Sequence, residues 1–145
     1  MAKMIPSVME SDNNSWSEKK VFEALKTKLP AEYTVFHSVR WNDRNEKDTV
    51  VWGECDFTVF HPQKGILVIE VKSGGIECVN DHWTYIRTDN GERHDMKNPM
   101  KQADRSKYRF KDLRDDVLGI DQEKQDYCLV ESAVWFPSVS RRDEI

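Results

Sequence analysis

Three residues of the stretch GECDFTVFHPQKGILVIEVKSGG, residues 53–75, have the types and spacing for chemistry at a phosphate. Asp56 precedes the triplet Glu70-Val71-Lys72 by thirteen intervening residues. Two carboxylates brought to one sheet edge repel each other, which costs stability unless a cation sits between them. Oxygen ligands of this kind, with main-chain carbonyls and water, suit Mg²⁺ or Mn²⁺. A lysine beside such an ion can orient or activate a water, or stabilise negative charge developing on a phosphate. The plainer alternative is an ion pair of Lys72 with Glu70 or Asp56 and no metal at all.

The elements that must position these groups follow from the pattern around them. Residues 66–71 form a strand apolar on both faces until Glu70, and Gly74-Gly75 break the chain just beyond Lys72. Residues 55–60 form the preceding strand, with a turn over residues 61–65. A plain four-residue loop would pair His61 with Ile66 and set Asp56 against Val71, turning the two acids to opposite faces. The metal reading therefore requires a one-residue offset, from a bulge or a three-residue loop.

The remaining elements are read in the same way. A capped helix begins at Ser15-Trp16-Ser17 and runs over residues 18–29, with Val21, Phe22, Leu25 and Leu29 at helical spacing and Pro30 as its stop. Residues 33–39 form a first strand and residues 42–48 a polar loop. Residues 76–79 and 82–87 are short strands, the second ended by a turn at residues 88–91. Asn98 caps a helix with Pro99 in its first turn, running to Val117 or Leu118 with Ala103, Phe110, Leu113 and Val117 as its apolar face. Residues 127–136 are the last strand. The order α-β-β-β-hairpin-α-β predicts an α/β fold, a mixed sheet flanked by helices. Residues 1–14 read as a flexible lead-in and 15–140 as the domain, with so little chain beyond the last strand that a piece of something larger is expected.

The blocks Gly53-Glu-Cys-Asp56-Phe, Gly65-Ile-Leu-Val-Ile-Glu70-Val-Lys72-Ser-Gly74, Trp83 and Asn98-Pro99-Met-Lys-Gln102-Ala resemble, in order, the nuclease-related domain (NERD), a branch of the PD-(D/E)xK nuclease superfamily. With the first helix they cover roughly residues 16–110. The resemblance implies a restriction-endonuclease-like core and hydrolysis of phosphodiester bonds with a divalent metal. It implies Asp56 and Glu70 as metal ligands with the Val71 carbonyl, and Lys72 as the catalytic lysine. Glu18 matches a helical glutamate that joins the metal shell, and Gln102 the glutamine of Asn-Pro-x-x-Gln that positions substrate or water. Ser17 stands before Glu18 where the family usually has glycine, and Glu18 also reads as an ordinary first-turn acid favoured by the helix dipole. The resemblance further suggests an appendage working beside another activity, such as a helicase or a kinase.

Composition bounds these readings. The chain has 145 residues, one domain's worth, with 22 Lys and Arg against 26 Asp and Glu, so any DNA affinity must come from a local basic surface. Lys101, Arg105 and Arg109 recur every fourth residue of the second helix, with Lys97 just ahead of its cap, and form such a stripe. Asp104, Asp112, Asp115 and Asp116 dilute it, and a simply solvated helix face fits as well. Trp83 can be read as a base-stacking residue or as core. Three cysteines without a CxxC pair argue against a disulfide framework or cysteine zinc site and read as thiols in a reducing cytoplasm. The four histidines show no zinc spacing, no Walker-type loop or G-x-G-x-x-G occurs, and no apolar run approaches the roughly 20 residues of a membrane span. The leading expectation is an Mg²⁺- or Mn²⁺-dependent nuclease acting on DNA. The alternative is a non-catalytic nucleic-acid-binding or accessory module that keeps the fold.

Overall fold

The computed structural model describes residues 1–9, 16–87, 89–119, 121–123 and 128–139. Helix α1, Trp16–Lys28, buries Val21, Phe22 and Leu25, the spacing that puts them on one face. The expected cap at Ser15 and the last five residues of the lead-in lie outside the described residues. Strands β2, Thr34–Arg44, and β3, Val50–His61, form a long antiparallel hairpin, and β4, Gly65–Val71, pairs with the second half of β3. Gly65 has φ +99, and a side chain there would collide with the Leu129 carbonyl, which accepts the Ile66 N–H at 2.7 Å. Only glycine meets both demands.

Helix α2, Pro99–Leu118, starts as the sequence predicts: Asn98 Oδ1 accepts the Met100 N–H at 2.9 Å. It returns the chain to β8, Val130–Trp135, which lies parallel to β4. One edge of the sheet is β1, Lys3–Ile5, parallel to β2, giving the order β1-β2-β3-β4-β8. A second, antiparallel sheet holds β5, Gly75–Val79, β6, His82–Ile86, and β7, Arg93–Asp95. The core lies between α1 and the five-stranded sheet, where Val21, Phe22, Val35, Phe57 and Ile69 are all but inaccessible. Helix α2 packs on β3, β4 and β8.

Several expectations need correction. The lead-in is not loose over its first residues: Ala2 and Met4 are buried in the core and β1 pairs along β2. Residues 42–48 are not simply a loop, because β2 runs through Arg44. The turn that follows is tied by Asn45, whose side-chain oxygen accepts the Lys47 and Thr49 N–H groups at 3.0 Å. Main-chain ladder bonds need no apolar side chains, which is why a polar segment extends the hairpin. Strand β7 was not foreseen. The expected apolar face of α2 closes only at its start. Ala103 is buried, while Leu113 and Val117 are 39% and 82% exposed beside an open groove lined by Phe60, Ile66 and Phe110. Thr88 of the expected turn and Tyr127 of the expected last strand lie outside the described residues. No helix of the described residues is long and apolar enough to cross a membrane.

Candidate active site

The register of β3 on β4 decides whether Asp56 and Glu70 can meet. His61 pairs with Gly65, so the loop is the three residues 62–64, and the ladder runs to Phe57 opposite Ile69. Carried one step further, the same register sets Asp56 opposite Glu70. This is the offset that a shared cation requires. Asp56 Oδ2 accepts the Val71 N–H at 2.7 Å, which ties the carboxylate to the end of β4. Lys72 Nζ stands 3.2 Å from Glu70 Oε1, and Lys72 N–H donates to the Trp135 carbonyl at 3.0 Å, extending the β4–β8 ladder past Glu70. Burial, then the facing Glu70 carboxylate, pushes Asp56 up to about 7, with the Val71 N–H and Lys72 opposing. Glu70 is raised too, by burial, against the pull of Lys72.

The hairpin changes character at this point. Val35 and His37 face α1: Val35 lies in the core beneath it, and His37 meets Glu18 and Phe22 of the helix. Trp41 has the same parity in sequence, yet it faces α2 and donates its indole N–H to Ser106 Oγ at 3.0 Å. Regular alternation forbids this. Ser38 absorbs the change with φ +62, and the cross-strand ladder is interrupted there, opposite Asp56, before resuming at Val39–Cys55. Strand β3 turns over as well: Phe57 and Val59 lie in the α1 core, whereas Cys55 Sγ accepts from Thr58 Oγ1 at 3.4 Å on the other side. Asp56 thus sits on the seam where both strands exchange faces. Ser38 Oγ donates to Glu54 Oε1 at 2.6 Å across it. Cys55, just past the seam, is a buried thiol raised to about 11 by burial, which keeps it protonated and inert at neutral pH.

Glu18 reaches the same neighbourhood from α1, since its charge is felt by both Asp56 and Glu70. Its Oε2 lies 2.7 Å from His37 Nε2, and the imidazole packs at 4.8 Å against the Phe57 ring. Ser17 is 1% exposed and its hydroxyl has no partner among the described residues. That burial explains why only a very small side chain fits before Glu18. Gln102, on the first turns of α2, has its side-chain carbonyl shut away from solvent without a donor among the described residues. An orphaned acceptor of this kind costs about 1–3 kcal/mol. Beside Lys72, a cavity of about 350 Å³ opens between the end of β4 and the second sheet, lined by Ser73, Tyr85 and His94.

The basic stripe is split. Lys97 and Lys101 are exposed, as expected of phosphate contacts. Arg105, also exposed, lies over the Trp41 ring at 5.6 Å, and half-buried Arg109 donates its Nε–H to the Asn42 carbonyl at 2.9 Å. These two brace the β2–β3 hairpin against α2. Trp83 takes the core reading: it is 9% exposed and stacks on Phe136 at 6.1 Å. Sequence reasoning placed Glu54 at this strand end but missed Ser38 and His37 as parts of the region. A histidine inside an apolar strand segment was the one signal that pointed to either of them.

The candidate donors are all oxygen: two carboxylates from adjacent strands, the Val71 carbonyl, and Glu18 nearby. A buried aspartate raised to about 7 by its surroundings is the environment that a divalent cation relieves, so these residues fit Mg²⁺ or Mn²⁺. Among the described residues no group of three or more His, Cys, Asp or Glu side chains is gathered at metal-binding spacing. A family model described as nuclease-related domain, NERD, matches residues 13–137. No curated protein and no solved structure matches the chain.

Proposed function

The chain belongs to the nuclease-related domain family, within the PD-(D/E)xK-like nuclease class, and from that premise we propose that it is a Mg²⁺- or Mn²⁺-dependent nuclease that hydrolyses DNA phosphodiester bonds. Its five-stranded mixed sheet with a helix on either side is the restriction-endonuclease-like arrangement of that class. The observation that carries the reading is the three-residue β3–β4 loop, which sets Asp56 opposite Glu70 with Lys72 two residues on.

In this reading Asp56, Glu70 and the Val71 carbonyl hold the metal, and Glu18 completes the shell, oriented by His37. When bound, the cation supplies Lewis acidity, polarising a phosphate oxygen and lowering the pKa of an attacking water. Lys72 presents its ammonium to the negative charge that develops on the phosphate. Gln102, on the first turns of α2, positions the substrate or the attacking water. Lys97 and Lys101 hold the phosphate backbone at the entry of α2. Replacing Lys72 or Asp56 by alanine is expected to lower Mn²⁺-dependent cleavage of plasmid DNA at least about a hundredfold, with the melting temperature little changed for Lys72→Ala and raised, in metal-free protein at neutral pH, for Asp56→Ala. Cleavage at the parental rate by both variants would exclude this site.

The Glu70–Lys72 ion pair and the open donor set favour a second reading, a DNA-binding module without turnover that serves a neighbouring activity such as a helicase. Titrating Mn²⁺ against the melting temperature separates the two, because a ligand of the folded state alone must raise it. No rise at millimolar Mn²⁺ selects the module.

A further inference from the structure

Beyond the seam at Ser38 and Asp56, the β2–β3 hairpin continues as a two-stranded arm that β4 does not accompany, since the β3–β4 ladder stops at Phe57–Ile69. One face of the arm is committed to α2. The Trp41 ring covers Gly53 and bonds to Ser106, Arg105 lies over that ring, and Arg109 holds the Asn42 carbonyl. The other face carries the cross-strand pairs Arg40–Glu54 and Asn42–Trp52 and looks away from α2. There Trp52 is 67% exposed, and it lines a concavity of about 380 Å³ with Arg40, Gly53 and Glu54. Glu54, which lines it, accepts from Ser38 Oγ at 2.6 Å, opposite Asp56, so the concavity borders the candidate active site. Asp56 lies four residue steps along the extended strand from Trp52, about 13 Å.

We infer that this outer face is a base-stacking platform for single-stranded DNA, with Trp52 as the stacking residue and Arg40 beside it. The inference rests on DNA as the substrate of the neighbouring site. The arm is not a phosphate surface: Arg40, Arg44 and Lys47 are offset by Asp43, Glu46, Asp48 and Glu54. Arg44 is also occupied with Asp48, and Glu54 with Ser38. What the face offers is an exposed indole on a ribbon that α2 braces from the other side. Base faces are available to it only where the strand is unpaired, and stacking of that kind is tolerant of sequence. The arm therefore selects an unpaired stretch a few nucleotides from the phosphate at Asp56.

The test is a fluorescence-anisotropy titration of a fluorescein-labelled 12-mer oligothymidylate in EDTA, where no cleavage can occur, with a 12-base-pair duplex alongside. The parent should prefer the single strand. Trp52→Ala should weaken that binding at least about fivefold and Trp52→Phe should restore most of it. Equal binding by parent and Trp52→Ala, with both showing the parental circular dichroism, overturns the inference. So does a duplex that binds as tightly as the single strand and loses as much on Trp52→Ala. Trp52-dependent binding with no metal-dependent cleavage in a separate assay would instead sink the nuclease reading and leave the platform standing.

Discussion

The β2–β3 hairpin has two halves that obey different rules. From Thr34 to His37, paired with Phe57 to Phe60, side chains alternate between a sealed core under α1 and the side that carries α2. From Val39 to Arg44, paired with Val50 to Cys55, the alternation has turned over and most residues are exposed. The first half is held by apolar burial. The second is held by main-chain pairing and by three contacts from α2. The candidate site lies on the boundary, where the ladder opens opposite Asp56. A sheet that kept one alternation throughout would leave Asp56 paired and its main chain engaged. The seam frees it to reach across to Val71.

That contrast can be broken experimentally. The largest effect belongs to the core half: Phe57→Ala should cost about 3–5 kcal/mol in urea unfolding, because Phe57 is wholly buried and its cavity cannot collapse between two sheet neighbours and α1. At the seam, protonation is the lever. Asp56 holds its proton more tightly in the folded chain than in the unfolded one, its pKa raised from 3.8 to about 7. Its contribution to stability is therefore complete below about 3.8 and is lost as the pH rises through about 7; the raised Glu70 acts in the same direction. Metal-free protein should lose up to about 4 kcal/mol of stability across that window relative to Asp56→Asn, measured as the difference between their urea midpoints at each pH. Parallel pH profiles for the two proteins would remove the strained carboxylate from the picture.

Smaller effects sharpen the boundary itself. Ser38→Val places a β-branched side chain at positive φ and should cost about 1–3 kcal/mol, whereas Ser38→Gly relieves the backbone and loses only the bond to Glu54. If both variants unfold alike, the turnover of faces does not depend on that conformation. The smallest effect is expected on the arm, where Trp52→Ala should change the unfolding midpoint by less than about 0.5 kcal/mol while weakening DNA binding.

The sequence made the chemical centre legible more readily than its surroundings. A strand apolar on both faces that ends in Glu70 and Lys72 has few structural reasons to do so, and the spacing to Asp56 narrowed the register to two choices. The structure takes the three-residue loop. Both helices were legible from periodicity and from the Asn98-Pro99 start. The arm was not, because its residues satisfy the ladder with main-chain atoms and show solvent on one side, so no apolar period marks them. Strand β1 escaped for another reason: three residues carry too little pattern, and their pairing with β2 is a tertiary contact. The contacts of the basic stripe with the arm were equally hidden, since Arg105 lies over Trp41 and Arg109 bonds to Asn42, both on a distant strand.

Glu70 and Lys72 ride on one backbone run clamped on its far side by the parallel partner up to Trp135, so their separation is fixed by strand pitch rather than by any loop. Thermal bending of the distal ribbon moves neither group against the other. The spacing of these two groups at the candidate site is therefore independent of the outer hairpin, which α2 braces separately through Trp41 and Asn42.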